Sequence, residues 1–311
     1  MSNAFIQLAL RGKNDGWRYF LGLLFTIAMF LIGSAITLSL FALYLAIDGD
    51  PATAWLAPSE LSPGQLPFVG VSPTLAFAVN NLGFLFFLAG LAISMRLLHV
   101  RSLRSLITPA FKINGLRILQ GFGVFFALVT AEIALSYWLS PQDFVFIFEP
   151  SAFFLFLPVA LLLTPMQTTV EELFFRGYLF QGIGSHLGHY AGILISSMLF
   201  MLLHGMNPEV LTQTNWEGTV SLLLYYFLVG AFLCWLTLKD RSMELALGVH
   251  AANNLATFIF VTSSNSVLPT PALFSIDKLE FNFGLPLYAA FSMLVFYLIV
   301  FKLLKKPAIA D

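Results

Sequence analysis

The stretch "TTVEELFFRGYLF", residues 168–180, puts Glu171, Glu172 and Arg176 between apolar runs that otherwise carry no charge. Further along, "FMLLH" ends at His204, and "HAANN" runs from His250 to Asn254. These residue types form a kit for water-mediated hydrolysis. A carboxylate beside an imidazole can deprotonate water. A second imidazole and an amide can donate hydrogen bonds to a carbonyl oxygen as it becomes an oxyanion; one such donor is worth about 10²–10³ in rate. The same set could hold a divalent metal, because two His and one Glu form an open three-ligand site of the zinc type. On that reading Glu171, His204 and His250 are the ligands, although the usual H-E-x-x-H helix is missing. Sequence alone leaves metal-bound and carboxylate-activated water both open. Ser185 beside His186 in "GIGSH" is weak support for a nucleophilic pair.

Helical spacing separates the charges into two jobs. Glu172 and Arg176 are four apart, share a face, and can neutralise each other. Glu171 points about 100° away, on the side of Gln167, with no nearby cation in its own helix. His250 and Asn254 are also four apart, so both can face one cavity. Each residue has a plainer reading as well. Glu172–Arg176 serves as a structural ion pair, either His serves as an interhelical hydrogen-bonding group, and Asn254 bridges helices. Glu171 fits that plainer role least, because an unpaired acid in a bilayer is costly and is by default a functional candidate. Glu132 reads as a residue near the membrane interface. His99, His186 and His189 read as solvated residues in or near loops. Asn253 is an extra polar neighbour of open role. Cys234, the single cysteine, reads as buried and inert and excludes an internal disulfide.

The elements that must position these groups are membrane helices. Only 10% of the 311 residues are charged and 59% are hydrophobic, with 34 Phe and a mean hydropathy of +0.87. Soluble domains carry about 25% charged residues. From Tyr19 to Ile47 no residue is charged, and a spanning helix needs roughly 20 such residues. That run exceeds the apolar core of a cleaved signal, which is about 7–15 residues. We therefore expect an all-α polytopic bundle of about eight spans, near 19–47, 72–95, 117–139, 154–181, 190–206, 219–238, 245–262 and 285–304. One integral membrane domain, 1–311, is expected, with its motif-bearing core at about 154–262. A net charge of −1 gives no reason to expect nucleic acid as a partner.

The basic residues set an expected orientation. Arg11, Lys13 and Arg18 precede span 1; Arg96, Arg101, Arg104, Lys112 and Arg117 lie between spans 2 and 3. Lys239 and Arg241 follow span 6, and Lys302, Lys305 and Lys306 lie in the tail. The opposite loops hold acids, among them Glu209 and Glu217, and one base, Lys278. The positive-inside rule then puts both termini in the cytoplasm. Arg176 is left over as a base that is not a topology signal. Loops 48–71 and 263–284 read as irregular caps, and "RSLRSLITPAFKINGLR" as a short interfacial helix. For Glu171 to meet His204, which lies about 21 Å along span 5 at 1.5 Å per residue, the helices must tilt or break. Pro158 and Pro165 could supply a bend in span 4.

Taken in order on separate apolar helices, E-E-x-x-x-R (Glu171 to Arg176), F-x-x-x-H (Phe200 to His204) and H-x-x-x-N (His250 to Asn254) resemble the CAAX protease and bacteriocin-processing family of intramembrane proteases. That family includes the type II CAAX prenyl endopeptidases. The resemblance covers about residues 165–260. It implies that Glu171 activates water with help from His204, that His250 and Asn254 form the oxyanion site, and that Glu172, Arg176 and Phe200 support them. It implies hydrolysis of a peptide or membrane-protein substrate inside a membrane, with a lipidated C-terminus as one option; the chain's compactness points to a bacterial cytoplasmic membrane. A metal-independent glutamate mechanism is the expectation; zinc is the alternative cofactor. Two other classes fit the same polar set. One is a transporter or ion relay, against which stands the lack of an internal repeat. The other is a non-catalytic membrane protein of the bacteriocin-immunity kind.

Overall fold

A computed structural model describes residues 3–50, 52–56, 58–61, 67–266, 268–277 and 280–306. Each expected span is a helix: α1 (Gly16–Asp48), α2 (Pro73–Leu98), α3 (Gly115–Leu139), α4 (Pro150–Leu187), α5 (His189–His204), α6 (Trp216–Asp240), α7 (Glu244–Phe260) and α8 (Gly284–Leu303). Six are long and apolar enough to cross a membrane; α5 and α7 are shorter, at 16 and 17 residues. The fold is an all-α polytopic bundle. Its outer face is apolar, with Leu31, Ile32 and Leu40 of α1 exposed while the residues turned inward include Gly22, Thr26 and Gly33. That arrangement suits lipid outside and close helix approach inside. Lys278, the one base expected on the opposite side, lies outside the described residues, as do parts of both cap loops.

Local sequence explains where the helices start. Glu149 accepts hydrogen bonds from the Ser151 and Ala152 amides, with Pro150 at the first position of α4. Asn114 caps α3 and Asn215 caps α6 in the same way. The turn between α6 and α7 is pinned by a buried Arg117–Asp240 ion pair at 2.7 Å. Helices α3 and α7 touch backbone to backbone. A Cβ on Gly248 would run into the Ile118 carbonyl oxygen and the Phe122 amide nitrogen, so only glycine allows this approach. It brings His250, two residues later, deep into the bundle.

The structure departs from the sequence reading in three places. The prolines of α4 stay within helix, and the irregularity comes later, as a π-helical turn over Leu173–Leu179. The loops read as irregular caps contribute strands to two small sheets, the second of which also draws on the loop between α3 and α4. One pairs β1 (Ala54–Trp55) with β2 (Phe68–Val69); the other orders β3 (Val145–Phe146), β5 (Phe274–Ile276) and β4 (Val261–Ser263) side by side. Before α3 begins at Gly115, the segment expected as an interfacial helix holds only a 3₁₀ turn, Leu103–Leu106. It docks by burying Leu106 against Gly177 of the π-helical turn.

Candidate active site

Glu171 and Glu172 are the last residues of regular α-helix before the wide turn of α4, where every side chain from Leu173 to Leu179 is buried. Such π-turns recur at functional sites because they re-aim side chains. Glu172 and Arg176 are both 0% exposed, and Arg176 Nη1 lies 2.9 Å from Glu172 Oε1. The guanidinium also lies over the Phe200 ring, 4.4 Å from its centroid. The expected pair is therefore present. Its angles fall outside hydrogen-bond geometry, so charge and the aromatic face hold Arg176.

His250 is drawn into this pair. Its Nδ1 lies 2.7 Å from Glu172 Oε1, and its Nε2 lies 3.5 Å from Glu171 Oε2. An ionised carboxylate only accepts hydrogen bonds, so Nδ1–H donates to Glu172. Any further proton on the ring must sit at Nε2, facing Glu171. Gln167 Nε2 donates to Glu171 Oε1 at 3.2 Å, on the face the helical spacing assigned to it. Glu171 is thus held from one side by an amide and approached from the other by an imidazole, and is 8% exposed.

His204 ends α5. Its Nδ1 lies 2.8 Å from the Phe200 carbonyl oxygen, so Nδ1–H donates and Nε2 keeps its lone pair. No ion pair joins it to Glu171 among the described residues, but both line one cavity of about 670 Å³ together with His250 and Asn254. Asn253 donates to the Asn254 side-chain oxygen at 3.1 Å, which leaves the Asn254 NH₂ as its donating end. Phe200 joins the parts: its ring packs on His204 at 4.1 Å between centroids and on His250 at 6.1 Å.

Three residues sit differently from expectation. His99 is not solvated. It is 0% exposed, with Nδ1 at 2.9 Å from the Lys13 carbonyl oxygen and Nε2 at 3.0 Å from Tyr178 Oη. Burial pushes its pKa below the usual imidazole value. Glu132, read as near-interfacial, lines the cavity and is bonded by Ser292 of α8. Glu209, read only as an outer-loop acid, lines the cavity as well, bonded to Tyr226 and Asn207. A missed signal for it was its place five residues after a candidate catalytic His.

The residues present do not form a ready metal cage. Among the described residues no three His, Cys, Asp or Glu side chains are grouped closely enough to hold an ion.

Comparison with known proteins gives two kinds of match. Residues 149–256 fit the family model described as type II CAAX prenyl endopeptidase Rce1-like. That segment contains all three motifs. The uncharacterized protein YyaK of Bacillus subtilis is 32% identical over 292 residues, covering 93% of this chain and 91% of its own. CAAX prenyl protease 2 of Methanococcus maripaludis is 28% identical over 129 residues, 38% of this chain and 47% of that protein. No solved structure matches significantly.

Proposed function

The chain belongs to the Rce1-like family of type II CAAX prenyl endopeptidases, and from that membership and the cavity's geometry we propose that it is an intramembrane endopeptidase of the glutamate type. It is an integral membrane protein, and the near full-length likeness to a Bacillus protein agrees with a bacterial cytoplasmic membrane. The observation that carries the proposal is the meeting of Glu171, His204, His250 and Asn254, from three helices, around one cavity.

In the proposed reaction, water sits between Glu171 and His204. Glu171 takes one proton, and the His204 Nε2 lone pair holds the other hydrogen in place. The water oxygen bonds to the scissile carbonyl carbon, whose π electrons move onto oxygen. The Asn254 NH₂ donates to that oxyanion, with the His250 imidazole as the second member of the oxyanion site. Collapse breaks the C–N bond, and the leaving amine receives the proton held by Glu171. Glu172 fixes the His250 ring through Nδ1, and the Arg176 guanidinium pairs with Glu172. The substrate is a peptide segment presented at the membrane. The archaeal relative's name makes a prenylated C-terminus the first substrate to try.

The test uses the full chain purified in detergent with a fluorogenic reporter peptide carrying such a C-terminus. We expect cleavage that a strong chelator leaves unchanged and that Glu171→Gln lowers at least about 10³-fold. Full activity in Glu171→Gln would overturn the assignment. Activity lost to chelator and regained with zinc would replace the glutamate mechanism by a metal one.

A further inference from the structure

We infer that Tyr226 and Glu209 form a lock that positions the His204 imidazole, an inference that rests on reading His204 as part of the proteolytic site. His204 is the last residue of α5, followed by Gly205. A helix end frays, and the second side-chain torsion of histidine has a broad, soft minimum. A ring that must hold one hydrogen of the attacking water therefore needs restraint beyond its own helix.

The hydrogen bond from Nδ1 to the Phe200 carbonyl sets which nitrogen carries the proton, but it comes from the same fraying turn. The outside restraint comes from α6. The Tyr226 ring packs on His204 with centroids 4.6 Å apart and planes 34° apart. Tyr226 cannot swing away, because its hydroxyl donates to Glu209 Oε1 at 2.6 Å. That is the length of a charge-assisted O–H···O⁻ bond. Asn207 Nδ2 donates to the same oxygen at 3.0 Å, and the Asn207 backbone N–H donates to the His204 carbonyl at 3.0 Å. The circuit His204–Tyr226–Glu209–Asn207–His204 is therefore closed. Its four members all line the cavity. Two contacts in the circuit are strong polar bonds to one carboxylate oxygen, so removing that carboxylate releases Tyr226 and Asn207 together.

This makes Tyr226 and Glu209 positioning residues that act through His204. The chain has five His, so the ring can be watched directly. In the full chain labelled with ¹⁵N-histidine, the signal absent from His204→Gln identifies His204. Wild type should show one tautomer, protonated at Nδ1. Tyr226→Leu should give a signal averaged between tautomers. In the reporter-peptide assay Tyr226→Phe, which keeps the ring, and Glu209→Gln should each lower kcat about 3–10-fold, the rate equivalent of one hydrogen bond. KM should stay within about twofold, and the double variant should be no slower than either single one, because both break the same link.

An unchanged His204 signal in Tyr226→Leu, an effect confined to KM, or additive losses in the double variant would overturn the inference. If Tyr226→Leu does not fold, an unshifted His204 signal in Tyr226→Phe and Glu209→Gln does so instead. A wild type that cleaves nothing defeats the protease reading, while the histidine spectra still decide the lock.

Discussion

Replacing Glu172 by Gln tests whether the buried ion pair is a support for the site or an ornament of the helix. Arg176 is 0% exposed, and Glu172 is its ion-pair partner among the described residues, at 2.9 Å. Gln can still accept from His250 Nδ1, but it cannot neutralise the guanidinium. Removing one partner of a buried pair costs about 3–5 kcal/mol. The Phe200 face 4.4 Å from the guanidinium carbon remains, and a desolvated cation–π contact is worth about 2 kcal/mol, so the lower end of that range applies. At about 2 °C per kcal/mol for a chain of this size, the melting temperature should fall by about 6 °C. Replacing both residues, Glu172→Gln with Arg176→Met, removes both charges and should bring the melting temperature back to within about 2 °C of wild type. Cleavage should stay about 10–100-fold down in both variants, because the bond from His250 Nδ1 no longer ends on a charge. The assay is tryptophan fluorescence on heating in detergent, followed by reporter cleavage at a temperature where all three proteins are folded. A Glu172→Gln protein that melts within 2 °C of wild type, or a double variant no more stable than the single, would refute the reasoning.

Gly248→Ala should cost about 1–3 kcal/mol, since its Cβ would meet α3 backbone that cannot rotate away. Gly115→Ala, with nothing within 4 Å, is the control and should melt with wild type. His99 gives a pH signature. Its pKa is lowered on folding by burial, so below the ordinary value of 6.5 the unfolded chain binds a proton that the folded chain refuses. Stability should therefore fall with pH below that point, by up to about 1.4 kcal/mol per pH unit. His99→Gln should flatten this fall in melting curves taken between pH 7.5 and 5.5.

What could be read from sequence follows the range of each interaction. Glu172–Arg176 and Gln167–Glu171 are both four apart, and one turn of helix was enough to predict that each pair would meet. The capped starts of α3, α4 and α6 are equally local. The π-turn is not legible in sequence, because nothing in "LFFRGYL" breaks the helical pattern, and it packs on residues far away in the chain, such as Leu106 against Gly177. His99 departs from its local reading for the same reason. It sits just past a helix end, where solvent is the default, and its partners Lys13 and Tyr178 are 86 and 79 residues away. The small sheet of β3, β5 and β4 has strands of two or three residues, too short for alternation to register.

The motif spacing itself has a physical content that the structure exposes. In F-x-x-x-H the four-residue step places the Phe200 carbonyl under His204 Nδ1, so the aromatic position also sets the histidine tautomer. The same ring carries Arg176 at 4.4 Å and packs against His250 at 6.1 Å. One phenylalanine thus touches a residue from each of the three motifs. A smaller apolar residue there would leave the buried guanidinium without its aromatic face and the two imidazoles without a common wall. This explains why an aromatic ring, rather than any large apolar side chain, suits position 200. It also explains why three weak local patterns on separate helices describe a single structure.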